Sequence, residues 1–483
     1  MSESEGEIRP SRTRALAGAV LAPLSFAVVW IAPLGLPVEA HRLAAIFAAV
    51  IVLWVTEVIP IAVTALLIAP AMVAAGVTDA KSAFAPYADP LLFLFVGGFM
   101  IARAMTRHGL DRRIALGLVS LPFIRGAPAR VRAAFVLTGV ALSMWISNTA
   151  TTAILLPILI GLIDARRDPA SDRAVTGSLL AVAYACSIGG LGTPVGSPPN
   201  LIALRFLRDA GADLSFFDWV KIALPASLLV VVAMYFLFAW LFPPIRVASS
   251  GAEVEPPRGR WSRGELVTVA SFAVAVVGWM VPGILVAAQA PGGAALAEAL
   301  PEGAVAIFAA SLLFLVNDET GESRVLPWSD AARIDWGVIM LFGGGISLGR
   351  QVFETGLAEV LAKGFVEVSG VTELWTLTAL VAMFTIFFTE TTSNTATANM
   401  LSPLVVAVAV ELGVSPIPPV LAVGLAASCA FMLPIATGPN AIAYGTGRVD
   451  MPSMLRAGLV LNMVSVVLIF VVLRILCPLY GWT

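Results

Sequence analysis

Ser147-Asn148-Thr149-Ala150-Thr151 recurs 246 residues later as Ser393-Asn394-Thr395-Ala396-Thr397. Hydroxyl and carboxamide groups are neutral. Their oxygens can ligate a hard cation, and their O–H and N–H groups can donate to an anion. A third block joins them. Val195-Gly196-Ser197-Pro198-Pro199-Asn200 pairs with Ile435-Ala436-Thr437-Gly438-Pro439-Asn440, 240 residues on. The prolines fall inside apolar runs, where a missing amide and a clashing ring must break a helix. A broken helix exposes carbonyls at one end and amides at the other, so it can hold a cation and an anion together. Oxygen ligands of this kind suit Na+ and suit a transition metal poorly. No Lys, Arg or His lies in these blocks. An anion there would be held by amides, hydroxyls and helix ends.

The elements that must position these residues are membrane helices. The chain has 483 residues, 59% hydrophobic and 12% charged, with a mean hydropathy of +0.93. A soluble domain carries about 25% charged residues. The apolar runs predict an all-α polytopic membrane protein with about eleven transmembrane helices and two re-entrant hairpins. Residues 1–14 read as a cytoplasmic tail. Residues 15–245 form a first repeat, with a hairpin near 130–165 and a broken helix near 174–207. Residues 246–262 form a cytoplasmic linker. Residues 263–483 form a second repeat, with a hairpin near 372–411 and a broken helix near 416–446. Each hairpin carries a Ser-Asn-Thr string at its middle. Such polar, non-helical backbone is tolerated at membrane depth only when protein or a water-filled cavity covers it.

Arg103, Arg107, Arg112, Arg113, Arg125, Arg130 and Arg132 precede the first hairpin, and Arg166, Arg167 and Arg173 follow it. That places both its flanks on the cytoplasmic side. The loop 411–419 after the second hairpin lacks Lys and Arg, so that hairpin enters from outside. Arg246, Arg258, Arg260 and Arg263 keep the linker inside, and Arg448 and Arg456 mark the next inner loop. The N-terminus is then inside and the C-terminus outside. Leu94-Phe95-Val96-Gly97-Gly98 also returns as Leu341-Phe342-Gly343-Gly344-Gly345. Repeated blocks in one order, on hairpins of opposite orientation, predict an inverted-topology repeat. The glycine clusters read as close helix packing, since no Lys-Ser/Thr follows as in a phosphate loop. Cys186, Cys429 and Cys477 read as small core hydrophobes. Glu57 reads either as a cap or pair or as a proton relay, and Glu390 as a brace for the hairpin tip or a tuner of the site. No basic block suggests nucleic acid.

These blocks, with Thr56-Glu57-Val58-Ile59-Pro60, resemble the divalent anion/sodium symporters over nearly the whole chain. The resemblance implies a homodimer in a bacterial inner membrane, working as an elevator in which both hairpins and both broken helices slide against a fixed scaffold. It implies one Na+ site at Ser143, Ser147, Asn148 and the backbone of Gly196. A second would use Thr389, Thr392, Asn394 and the backbone of Ala436. The substrate carboxylates would lie on Asn148, Thr149, Ser197, Ser393, Asn394, Thr395 and Thr437. Gly438 stands where many carboxylate-transporting members have proline, and Thr392 where the family often has a smaller residue.

The expected function is import of a C4-dicarboxylate such as succinate, malate or fumarate with Na+. The alternatives on the same fold are a Na+-independent dicarboxylate exchanger and a Na+ symporter for citrate or sulfate. An intramembrane enzyme would need a nucleophile with an acid–base pair or a metal cluster, and the blocks offer Ser and Thr without a neighbouring His, Asp pair or Lys. A channel would need a continuous pore, whereas two closed ligand shells favour occlusion.

Overall fold

The computed structural model describes residues 12–120, 128–164, 172–243 and 259–483. Among these the regular structure is helical, apart from one isolated bridge between Asn317 and Arg324. Arg125, Arg166, Arg167, Arg246, Arg258 and most of the linker lie outside the described residues. The first helix, Arg12–Ile31, starts three residues earlier than the boundary of the tail expected from sequence.

Six helices or helical runs are long and apolar enough to cross a membrane, and two bent pairs raise this to eight. The count by length falls below the eleven expected spans because much of the apolar chain is folded into shorter pieces. The first hairpin is Pro128–Ser143 and Asn148–Asp164. The second is Leu374–Thr389 and Asn394–Glu411. The first broken helix is Asp172–Gly189 and Pro198–Asp209. The second is Ile417–Ala426 and Gly438–Gly445. The prolines do not sit mid-helix. Pro198, Pro199 and Pro439 open the second arm of each broken helix, where a missing amide costs nothing and φ is already helical.

The two halves share one order of elements and exchange partners. Helix Pro90–Arg107 ends at Gly109 and continues as Leu110–Val119, and helix Trp336–Glu354 ends at Gly356 and continues as Leu357–Ser369. Gly109 and Gly356 adopt φ of 64° and 78°, a left-handed turn that a side chain would strain. In the first of these long helices, Gly97 lies on Ala306 of Glu302–Leu315; in the second, Gly344 lies on Ala65 of Ile61–Ala74. A Cβ at either glycine would collide with the backbone of the facing alanine. The glycine clusters are therefore packing surfaces. Each half's glycine helix rests on the other half's short helix. The inner elements cross in the same way. Helix Asn148–Asp164 packs on Gly438–Gly445, and Asn394–Glu411 packs on Pro198–Asp209.

Charged groups are satisfied at the periphery of this arrangement. Arg132, nearly buried, donates to Phe238 O and Pro243 O, and Arg173 to Leu241 O. Both arginines donate to carbonyls in the last turn of helix Phe216–Leu241 and just beyond it. Arg448 holds Asp164 with two bonds of 2.6 and 3.0 Å, tying the first hairpin to the loop after the second broken helix. The three cysteines are buried and free.

Candidate functional site

The Ser-Asn-Thr strings fold alike. Thr151 N donates to Ser147 O at 2.9 Å, and Thr397 N donates to Ser393 O at 2.8 Å. Each string therefore begins the second helix of its hairpin, with its first amides unpaired by the helix itself. Ser147 and Thr149 are exposed, and Asn148, Ser393 and Asn394 half-buried.

The unwound segments of the broken helices also match, and the residues that shape them are ones that sequence reasoning missed. Asn200 Nδ2 donates to Gly190 O (2.8 Å) and Thr193 O (2.7 Å). Asn440 Nδ2 donates to Ala430 O and Leu433 O, both at 3.0 Å. Gly196 N reaches Thr193 O, and Ala436 N reaches Leu433 O, each at 3.2 Å. One asparagine thus pins each break by two carbonyls, with 240 residues separating every equivalent pair. Asn200 and Asn440 close the third sequence block; their position one turn after the break was the available signal.

Around Gly196 the first oxygen-rich cluster forms. The volume a Cβ would fill is ringed by Gly190 O at 2.7 Å and by Ser143 O and Met144 O at 3.0 Å. Ser143 Oγ and Asn148 Oδ1 are buried, and among the described residues neither has a hydrogen-bond partner. Thr193 Oγ1 donates to Met144 O, binding the break to the hairpin tip. Buried oxygens without donors are costly unless something positive meets them. A Na+ ion fits this donor set, which is neutral oxygen throughout.

The second cluster is related but tighter. Thr389 Oγ1 lies 2.8 Å from Asn394 Oδ1 and 2.9 Å from Ala427 O. A hydroxyl carries one proton, so one of these oxygens goes without it. The side chain of Thr392, expected among the cation ligands, donates instead to Trp54 O at 3.3 Å. Its hydroxyl is committed to helix Val38–Thr56.

Between the clusters the two breaks touch. Ser197 Oγ meets Ser428 Oγ at 2.8 Å. Gly438 lies against Thr149, so closely that a Cβ would overlap Thr149 Oγ1. Thr437 caps its own helix, accepting from Asn440 N at 3.2 Å. Thr395 is buried one residue inside the second hairpin helix. The starts of Asn148–Asp164 and Gly438–Gly445 therefore adjoin, and a break-to-break bond links the two broken helices. Helix starts carry partial positive charge and free amides.

Glu390 is the brace. Its carboxylate accepts from Phe431 N (2.7 Å), Met432 N (2.8 Å), Leu433 N (3.1 Å) and Asn462 Nδ2 (2.7 Å). It fixes the unwound segment of the second broken helix to the second hairpin tip. Glu57 is a cap, closing helix Val38–Thr56 in a left-handed conformation 3.9 Å from Arg14.

The profile of a family described as the sodium:sulfate symporter transmembrane region matches residues 14–482. The chain belongs to that family. It is thus a multi-pass membrane transporter and not an enzyme, and the resemblance read from its polar blocks is borne out. An uncharacterized transporter of Haemophilus influenzae is 36% identical over 433 residues, covering 88% of this chain and 89% of that one. The sodium-dependent dicarboxylate transporter SdcS of Staphylococcus saprophyticus is 32% identical, covering 96% and 91%. Its Staphylococcus aureus counterpart is 31% identical, covering 97% and 92%. The Alcanivorax borkumensis YdaH transporter, whose crystal structure has an unusual topology, shares the fold. Its TM-score is 0.58 at 16% identity, over 97% of this chain and 99% of that one.

Proposed function

We propose that this transporter imports a C4-dicarboxylate together with Na+. The observation that carries the reading is the oxygen-rich packing at the first break, where three carbonyls converge on Gly196 and the unpartnered Asn148 Oδ1 lies against Gly190. The names of the SdcS relatives favour sodium and a dicarboxylate. The order of events follows from charge. Opposite unit charges 4 Å apart attract by about 4 kcal/mol at an effective dielectric of about 20. With no basic side chain in the polar blocks, a dianion is held poorly until cations occupy the two clusters. Cations at Ser143, Ser147, Asn148 and Gly196, and at Thr389, Thr392, Asn394 and Ala436, would also order the hairpin tips. Thr392 would contribute there through its backbone, since its hydroxyl faces Trp54. Asn148, Thr149, Ser197, Ser393, Asn394, Thr395 and Thr437 then meet the carboxylates. In this reading residues 15–245 and 263–483 are the two inverted repeats. The transporter is a homodimer in the bacterial inner membrane, with its N-terminus inside and C-terminus outside, and the hairpins and broken helices move as an elevator.

Radiolabelled succinate uptake into proteoliposomes tests this. An inward Na+ gradient should drive accumulation into empty vesicles, competed by malate and fumarate. Uptake indifferent to Na+ but dependent on internal dicarboxylate would replace symport by exchange. Competition by sulfate or citrate alone would reassign the anion.

Gly438 gives a second test. Proline there adds bulk where Thr149 Oγ1 already sits, and proline suits the first position of a helix. Gly438→Pro should turn Thr149 aside and shift the ranking of competing anions at least about fivefold, within the range that one small group in a pocket can command. An unchanged ranking would put residue 438 outside the substrate wall.

A further inference from the structure

Among the described residues, helix Arg12–Ile31 has no counterpart in the second half. The repeat pairs Val38–Thr56 with Arg263–Ala287 and Ile61–Ala74 with Glu302–Leu315, leaving the first helix over. It packs along Val38–Thr56, so tightly that a Cβ on Gly18 would collide with Thr56. Its outer face, including Leu16, Val20, Leu24 and Ile31, is exposed and apolar.

At its start, Arg14 reaches a hairpin tip. Arg14 Nη2 donates to Thr391 O at 2.9 Å, in the turn between the two helices of the second hairpin. The same nitrogen donates to Val55 O, and Glu57 Oε1 lies 3.9 Å away. Beside it, Thr392 Oγ1 donates to Trp54 O at 3.3 Å. Two bonds from adjacent tip residues thus cross from the hairpin, that of Thr391 to Arg14 on the first helix and that of Thr392 to Trp54 on the second.

The first hairpin is held by other means. Trp145 stands where Thr391 stands, 246 residues apart. Its ring packs edge-on against Phe272 of Arg263–Ala287 at 5.1 Å and stacks near Phe216 at 6.5 Å. An aromatic face slides or repacks gradually. A charge-assisted hydrogen bond to one carbonyl is made or broken.

We propose that Arg14 is a latch on the second hairpin tip, holding Thr391 against the turn at 54–57 in this conformation and letting go when the hairpin moves. Val55 O and Glu57 belong to the stationary side of the contact, so the guanidinium keeps partners after release. Guanidinium suits this task because its planar fork serves several oxygens at once. The latch rests on the reading that the hairpins move during transport.

Hydrogen exchange on the full-length protein in lipid nanodiscs tests it. In Arg14→Gln the amides of residues 390–395 should exchange at least about fivefold faster, as loss of a charge-assisted bond allows. Those of residues 143–149 in the first tip should not change. Arg14→Lys, a single-point donor, should fall between. Thr392→Val, which removes the neighbouring tie from the hairpin side and leaves the first helix intact, should also accelerate the second tip alone. Unchanged exchange at the second tip in Arg14→Gln, or equal acceleration at both tips, would overturn the latch. The readout needs neither Na+ nor anion. Failure of Na+-driven uptake would leave the exchange result standing, and failure of the latch would not touch the uptake result.

Discussion

Asn148→Ala should abolish uptake while leaving a stable, folded protein. Its carboxamide oxygen is buried and makes no hydrogen bond within the described residues, so the fold loses little when it goes. The site loses the oxygen that lies against Gly190 and a donor at the start of a helix facing Gly438. An interaction of that kind is worth about 1.5–3 kcal/mol when one partner is charged. Two such losses, to cation and to anion, lower transport by on the order of a hundredfold or more. Initial uptake rates and thermal unfolding in detergent decide the matter together. A normal rate would remove Asn148 from the site. Asn394→Ala should be as inactive but also less stable, because Asn394 Oδ1 lies in hydrogen-bond range of Thr389 Oγ1. That contrast separates the two asparagines, which the sequence presents as equivalent.

The second large effect concerns Glu390. Glu390→Leu leaves three backbone amides and the Asn462 amide without an acceptor in a buried place. Each stranded donor costs about 1–3 kcal/mol, so the sum rivals the stability of a typical domain. The variant should unfold far below the parent or fail to be recovered. Glu390→Gln keeps one acceptor oxygen and should melt between the two. Thermal unfolding of the three proteins in one detergent measures it, and an unchanged midpoint for Glu390→Leu would mean the brace is dispensable.

The hairpins and breaks were legible because each places Ser, Asn, Thr or Pro where lipid-facing chain would carry Leu and Val. Their bounds shifted by only a few residues. What stayed hidden lacked a side-chain signature. Gly190, Ser143 and Met144 contribute backbone carbonyls to the Gly196 cluster, and any residue has one. Asn200 and Asn440 were visible as part of a block, but their task of gripping two carbonyls each depends on how the break coils. Thr392 was placed by the family resemblance, whereas its hydroxyl follows helix Val38–Thr56. Arg14 fell at the end of the expected cytoplasmic tail, and its reach to residue 391 depends on tertiary packing across 377 positions.

The crossed contacts of Gly97 with Ala306 and of Gly344 with Ala65 constrain how such a molecule can open. In the language of assemblies, the fold is a domain-swapped pair fused into one chain. Each half holds a helix of the other captive, and among the described residues no clean seam runs between those before the linker and those after it. Rocking one half against the other would tear both glycine contacts at once. A motion that keeps both contacts would cut across the two halves, taking matched pieces from each and leaving matched pieces behind.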